Sequence, residues 1–121
     1  MEPLHIFING TKEACVVNEF IKLYSLNDKE LIPNEYGLIT FLRSDIEFSI
    51  IGQHELEDDF GIPFTQYPIQ IYLYKMREGE PYENYESQYL EIAKYLTEKL
   101  AKKLDCKTML VKNLSKQLIS Y

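Results

Sequence analysis

Apolar and polar positions alternate through "PLHIFI": Leu4, Ile6 and Ile8 fall on one side, His5 and Phe7 on the other. A period of two predicts a strand. Asn9-Gly10 then breaks it, and the period changes. In "TKEACVVNEFIKLYSL", Ala14, Val17, Ile21 and Tyr24 recur at helical spacing, widened by Val16 and Phe20. This predicts a helix over about 11–25 with Thr11 as N-cap. Pro33, Asn34 and Gly37 supply turn chemistry in the next segment. "LITFL" and "IEFSIIG" are β-prone runs separated by "RSD", a hairpin pattern. "IQIYLYKM" alternates cleanly, with Ile69, Ile71 and Leu73 opposing Gln70, Tyr72 and Tyr74.

The longest helical period covers about 84–104. Tyr89, Ala93, Leu96, Leu100 and Leu104 form its apolar stripe. Asn84 is the expected cap, and Glu98 and Lys102 sit one turn apart as an ion pair. "KTMLV" reads as a short strand, and "NLSKQLISY" as a helical turn or an edge strand. The order is β-α-β-β-β-α-β. It predicts one α+β domain over 1–121, an antiparallel or mixed sheet with two main helices packed on it.

Length and composition change this picture little. A chain of 121 residues, 45% hydrophobic and 26% charged, holds one core without staples. Cys15 and Cys106 have no C-x-x-C spacing and read as buried, inert thiols. The start "MEPLHIFING" lacks the pattern of a signal peptide, and no apolar run approaches a membrane span. The expected compartment is the reduced cytoplasm.

Charge says more. The net charge is −6, which argues against a nucleic-acid partner. Residues 1–93 carry 6 Lys/Arg and 17 Asp/Glu, while residues 94–121 carry 7 and 2. Helix-dipole complementation accounts for Glu83 and Glu86 at one end of the long helix, and for Lys99, Lys102 and Lys103 at the other. It does not account for residues 44–59, which hold six carboxylates and no Lys or Arg. Within that run, "GQHELEDDFG" puts one histidine beside four carboxylates.

That stretch has three readings. His54 with Glu55, Glu57, Asp58 and Asp59 could ligate a divalent metal, which requires the side chains to converge. In an extended segment, however, His54 and Asp58 face one way and Glu55, Glu57 and Asp59 the other. A solvated surface loop is the ordinary outcome of such a run. A docking surface for a basic partner is the third. Tyrosine favours the third: ten of 121 residues are Tyr and none is Trp. Phe60, Phe64 and Tyr67 flank the acidic run, and Tyr82 and Tyr85 lie near the long helix. No phosphate loop, zinc helix or nucleophile elbow is present, and the glycines do not cluster. Asp45, Glu47, Glu55, Glu57, Asp58, Asp59, Phe60, Tyr67, Tyr82 and Tyr85 are the candidate partner-binding residues. No catalytic residue, metal ligand or cofactor is assigned.

A small acidic α+β chain with this profile resembles bacterial immunity proteins, which bind and neutralise toxins, nucleases among them. Those of contact-dependent growth inhibition systems form one such group. The start "FING" followed by a helix also resembles barstar-like inhibitors, but "EYGLITFLRSD" continues as strands where that family has its binding helix. No residue role is carried over. The resemblance implies a cytoplasmic, non-enzymatic monomer in a 1:1 complex with a toxin whose surface is basic, with no nucleic acid or membrane as partner. Two alternatives come from other classes: an acidic chaperone for a secreted effector, and a small metal-dependent hydrolase built on His54.

Overall fold

The structure is a computed structural model that describes residues 3–33, 39–43, 45–75 and 86–121. Its elements are β1 (Leu4–Asn9), α1 (Glu13–Tyr24), β2 (Ile32–Pro33), β3 (Ile39–Arg43), β4 (Ile46–Ile51), β5 (Ile69–Lys75), α2 (Glu86–Leu104), β6 (Lys107–Lys112) and β7 (Lys116–Ser120). The strands form one seven-stranded sheet in the order β2-β3-β4-β5-β1-β6-β7. Every pairing is antiparallel. The expected α+β domain is therefore present, with a wholly antiparallel sheet. The tail takes the edge-strand alternative as β7, and β2 adds a two-residue strand that the sequence pattern did not reveal.

Both helices pack on one face of the sheet. Leu4, Ile6 and Ile8 of β1 meet Phe48 and Ile50 of β4, Ile69, Ile71 and Leu73 of β5, and Leu110 of β6 in one core. From α2, Tyr89, Ala93, Leu96 and Leu100 enter it as the helical period predicts. Tyr89 is fully buried. Its hydroxyl donates to the Leu73 carbonyl and accepts the Leu4 N–H at 3.2 Å. One phenol thus ties the helix to two neighbouring strands and satisfies its own buried oxygen. The Thr108 hydroxyl donates to the Thr97 carbonyl at 2.7 Å, linking β6 to the same helix. The Glu98–Lys102 pair forms at 2.7 Å on the exposed side.

The first helix departs from its expected phase. Val16 and Phe20 are its buried residues, whereas Ala14 and Cys15 are exposed. The stripe is centred on the residues read as its margin, because Phe20 must reach the rings of Phe41 and Phe48 at 5.2 and 5.7 Å. Cys15 is accordingly not a buried thiol. Lys12, not Thr11, is the N-cap; its extended backbone accepts from Cys15 and Val16 N–H, and no side chain caps the turn. The expected start of α2 at Asn84 lies outside the described residues.

The opposite face of the sheet is also covered in part. The β4–β5 connection, residues 52–68, lies against β1 and β6. Phe7, Met109 and Val111 point to that side and form a second core with Ile62 and Phe64 of the connection; Leu56, Tyr67 and Leu114 pack around it. The Phe7 and Phe64 rings lie 5.0 Å apart. Burying each of these side chains contributes roughly 1.5–3 kcal/mol. A connection this long stays ordered because it has its own apolar anchors.

Candidate functional site

The acidic stretch is the outer surface of this covering loop. His54 is its inner pin. It is 7% exposed, its backbone N–H donates to the Pro68 carbonyl at 3.0 Å, and its ring stands edge-on to Phe7 at 5.3 Å. Nδ1 accepts the Leu56 N–H at 3.0 Å, and Nε2 lies 2.6 Å from the Tyr67 carbonyl. An acceptor role for Nδ1 and a donor role for Nε2 fix the neutral tautomer protonated at Nε2. Both ring nitrogens therefore serve the loop's own backbone. The solvated-loop reading is corrected at this residue. The ring has no nitrogen left for an ion or for a cysteine.

From that pin the chain alternates. His54 and Leu56 turn inward, and Glu55 and Glu57 are exposed. Asp58 is exposed too, yet its Oδ1 accepts both the backbone N–H and the hydroxyl of Thr65, each at 2.8 Å. These bonds, the backbone one first, hold the Asp58 carboxyl below the usual carboxylate range. Asp58 is thus a brace across the loop. Glu55, Glu57 and Asp59 are all exposed, but so is Asp58, which does not share the buried side of His54 as an extended segment would require.

At the tip, Asp59 and Ile62 pair as an isolated bridge, with Ile62 N–H donating to the Asp59 carbonyl at 2.7 Å. The two residues between them, Phe60 and Gly61, have φ of 51° and 72°. Two positive φ values in a two-residue turn are the pattern of type I′, which favours Asn-Gly. Gly61 fits. Phe60 does not: a bulky side chain in the left-handed region costs about 1–2 kcal/mol. Its ring is 67% exposed, the highest value among the exposed large hydrophobic side chains described, so packing within the chain offsets little of that cost.

The β6–β7 turn faces this tip and supplies a comparison. Asn113 and Leu114 there also have positive φ, 53° each. Leu114, however, packs on the second core. Its strain is offset by burial, and that of Phe60 is not. Between the two turns lies a cleft of about 670 Å³, walled by Glu55–Phe60 and Phe64 on one side and residues 113–115 on the other.

The remaining candidates fall elsewhere. Asp45, with φ of 62°, sits in the β3–β4 turn, and Glu47 lies half-buried on β4. They stand at the far end of β4 from residue 52, where the loop begins, and line no part of the cleft. Tyr67 is half-buried on the second core and gives its carbonyl to His54, so its ring is packing and not an exposed anchor. Tyr82 and Tyr85 lie outside the described residues. The sixteen-residue acidic run is therefore two separate surfaces.

Neither histidine is placed to activate a thiol. His5 is 4% exposed, accepts from Gln70 Nε2 at Nδ1 (2.9 Å), and is pushed down to about 4 by burial. Cys106 lies against the Leu100 carbonyl at 3.6 Å, and burial, then Asp105, pushes its thiol up. Among the described residues, no three His, Cys, Asp or Glu side chains converge on a possible metal position, and no helix is long and apolar enough to cross a membrane. What the tip offers is an exposed aromatic ring at a strained position, ringed by carboxylates and held by a buried scaffold. Comparison of the chain with known protein families, curated proteins and solved structures returns no match, so the site is read from its own chemistry.

Proposed function

We propose that this chain is a toxin-neutralising immunity protein that docks its acidic hairpin tip on a basic surface of a cognate toxin. The observation that carries the reading is Phe60: a large ring in a left-handed turn, exposed to water, between Asp59 and Gly61. Natural chains retain strain of this kind where a site needs it. An aromatic anchor that enters a partner's pocket needs it, because the turn presents the ring outward at fixed geometry. Glu55, Glu57 and Asp59 around it would steer a basic partner and pair with it at the rim.

His54, Asp58 and the second core support this division of labour. They hold the loop before binding, which lowers the entropy cost of association. Docking of this kind needs no metal, cofactor or catalytic group, and one tip per toxin gives a 1:1 complex. A nuclease cleft is the kind of basic surface such a tip would fit, because a ring of carboxylates can stand in for phosphates.

The test is protection of cells that co-express this chain with a candidate toxin, taken first from any toxin gene found next to its own. Wild type protects. Charge reversal at Glu55 and Glu57 together with Asp59 abolishes protection, and the variant stays folded, since exposed charges contribute little to stability and the one bond lost, from the Phe60 N–H to Asp59 Oδ1, lies at the exposed tip. Asp58 is left intact because it braces Thr65. Full protection by the triple variant would overturn the proposal.

A further inference from the structure

Beyond the reach of the covering loop, the second sheet face carries another surface. The strand register aligns two rows there. Leu42, Glu47 and Tyr74 form one; Ile32, Thr40, Ser49 and Tyr72 form the next. Ile32, Leu42 and Tyr74 are 61%, 56% and 42% exposed. The Tyr72 and Tyr74 rings stack at 6.2 Å with 20° between their planes. A cavity of about 360 Å³ opens over β2, β3 and β4, lined by Glu30, Ile32, Thr40, Phe41, Leu42 and Glu47.

Its two carboxylates differ. Glu30 is engaged by Arg43, which also donates to the Tyr24 carbonyl at 3.1 Å. Arg43 pairs in register with Ile46, on the helix-covered face. Glu47 lies on the other face, between Leu42 and Tyr74, and among the described residues no Lys or Arg pairs with it. A half-buried carboxylate set among apolar and aromatic groups loses hydration, and among the described residues no cation restores it. Burial, the Tyr74 hydroxyl and the Glu47 charge, in that order, push the Tyr72 phenol up.

We propose that this face is a recognition subsite for an arginine side chain carried on an otherwise apolar segment of a partner protein. Glu47 takes the guanidinium, the Tyr72 and Tyr74 rings take its planar face, and Ile32 and Leu42 take the apolar neighbours. Arginine fits better than lysine because it is planar, stacks on rings and bonds a carboxylate through two N–H groups. A second copy of this chain is a poor occupant: a two-fold contact centred on the patch opposes Glu47 to Glu47, like charge against like. The proposal rests on the reading that the chain has a basic protein partner, but uses a surface separate from the hairpin tip.

The experiment is an amide chemical-shift titration of the ¹⁵N-labelled protein with the peptide acetyl-Leu-Arg-Leu-amide, beside the matching lysine peptide. Saturable shifts are expected at residues 40–42, 47–49 and 72–74, with affinity at least fivefold weaker for the lysine peptide. Glu47→Gln should abolish them while leaving the rest of the spectrum in place, and Leu42→Ser should weaken them. Shifts confined to residues 55–60 overturn the subsite and favour the hairpin alone. Shifts on β3–β5 that Glu47→Gln removes uphold the subsite, whatever the hairpin does. No saturable shift on β3–β5, or one that Glu47→Gln leaves unchanged, overturns it.

Discussion

Replacing His54 with alanine removes two hydrogen bonds and an edge-on ring contact from the inside of the covering loop. The Leu56 N–H and the Tyr67 carbonyl lose their partner. Each lost bond costs about 1 kcal/mol once water can reach the group, and more where it cannot. Loss of the ring against Phe7 leaves a void in the second core and adds about 1–2 kcal/mol. The total is about 3–4 kcal/mol. This is a large share of a domain's usual stability of about 5–15 kcal/mol, but less than all of it. The damage should also be local. The helix-side core of Leu4, Ile6, Phe48 and Ile71 shares no side chain with the loop. Hydrogen exchange at single amides is the assay, with urea unfolding beside it. Leu56 and Ile62 N–H should lose protection by two orders of magnitude or more, while β1, β5 and α2 lose only what the global shift requires. Unchanged protection at Leu56, with a stability change under about 0.5 kcal/mol, would refute the pin.

Phe60→Asn creates the Asn-Gly pair that a type I′ turn prefers; the variant should gain about 1 kcal/mol in urea unfolding yet bind the partner at least tenfold more weakly, and a loss of stability would contradict the strain argument. His5 gives a pH signature. Its folded value is pushed down to about 4 from an ordinary 6.5, so the folded state resists protonation more than the unfolded chain does. Stability from this group is complete above about pH 6.5 and is lost as pH falls toward 4, at about 1.4 kcal/mol per unit. Unfolding free energies should therefore fall by about 2 kcal/mol between about pH 7 and 5 in wild type, and by clearly less in His5→Gln; equal slopes would contradict it.

The helix-side core was legible because its strands and α2 alternate with little ambiguity. The phase of α1 was not, since "ACVV" offers apolar residues on adjacent positions and only the Phe41–Phe48 pair selects among them. Two residues of β2 are too few to carry a period. The covered second face did leave a trace. "MLV" in β6 is apolar at successive positions, and Phe7 interrupts the alternation of β1, as happens when both faces are buried. A connection of seventeen residues that carries Leu56, Ile62, Phe64 and Tyr67 was the matching lid. For the site, the carboxylates were visible as charge. The roles of His54 and Asp58 were not, because a ring or carboxylate bound to backbone two or seven residues away has no spacing signature. The strain at Phe60 was readable in part from Gly61, which marks the turn without giving its type.

The central claim is that the hairpin tip is the contact surface. Cross-saturation from an unlabelled toxin partner to the ²H,¹⁵N-labelled protein tests it directly. The account predicts the strongest attenuation at the amides of Glu55 to Gly61, centred on Phe60, with α1 and α2 unaffected. Attenuation centred on either helix, with Phe60 untouched, would contradict it.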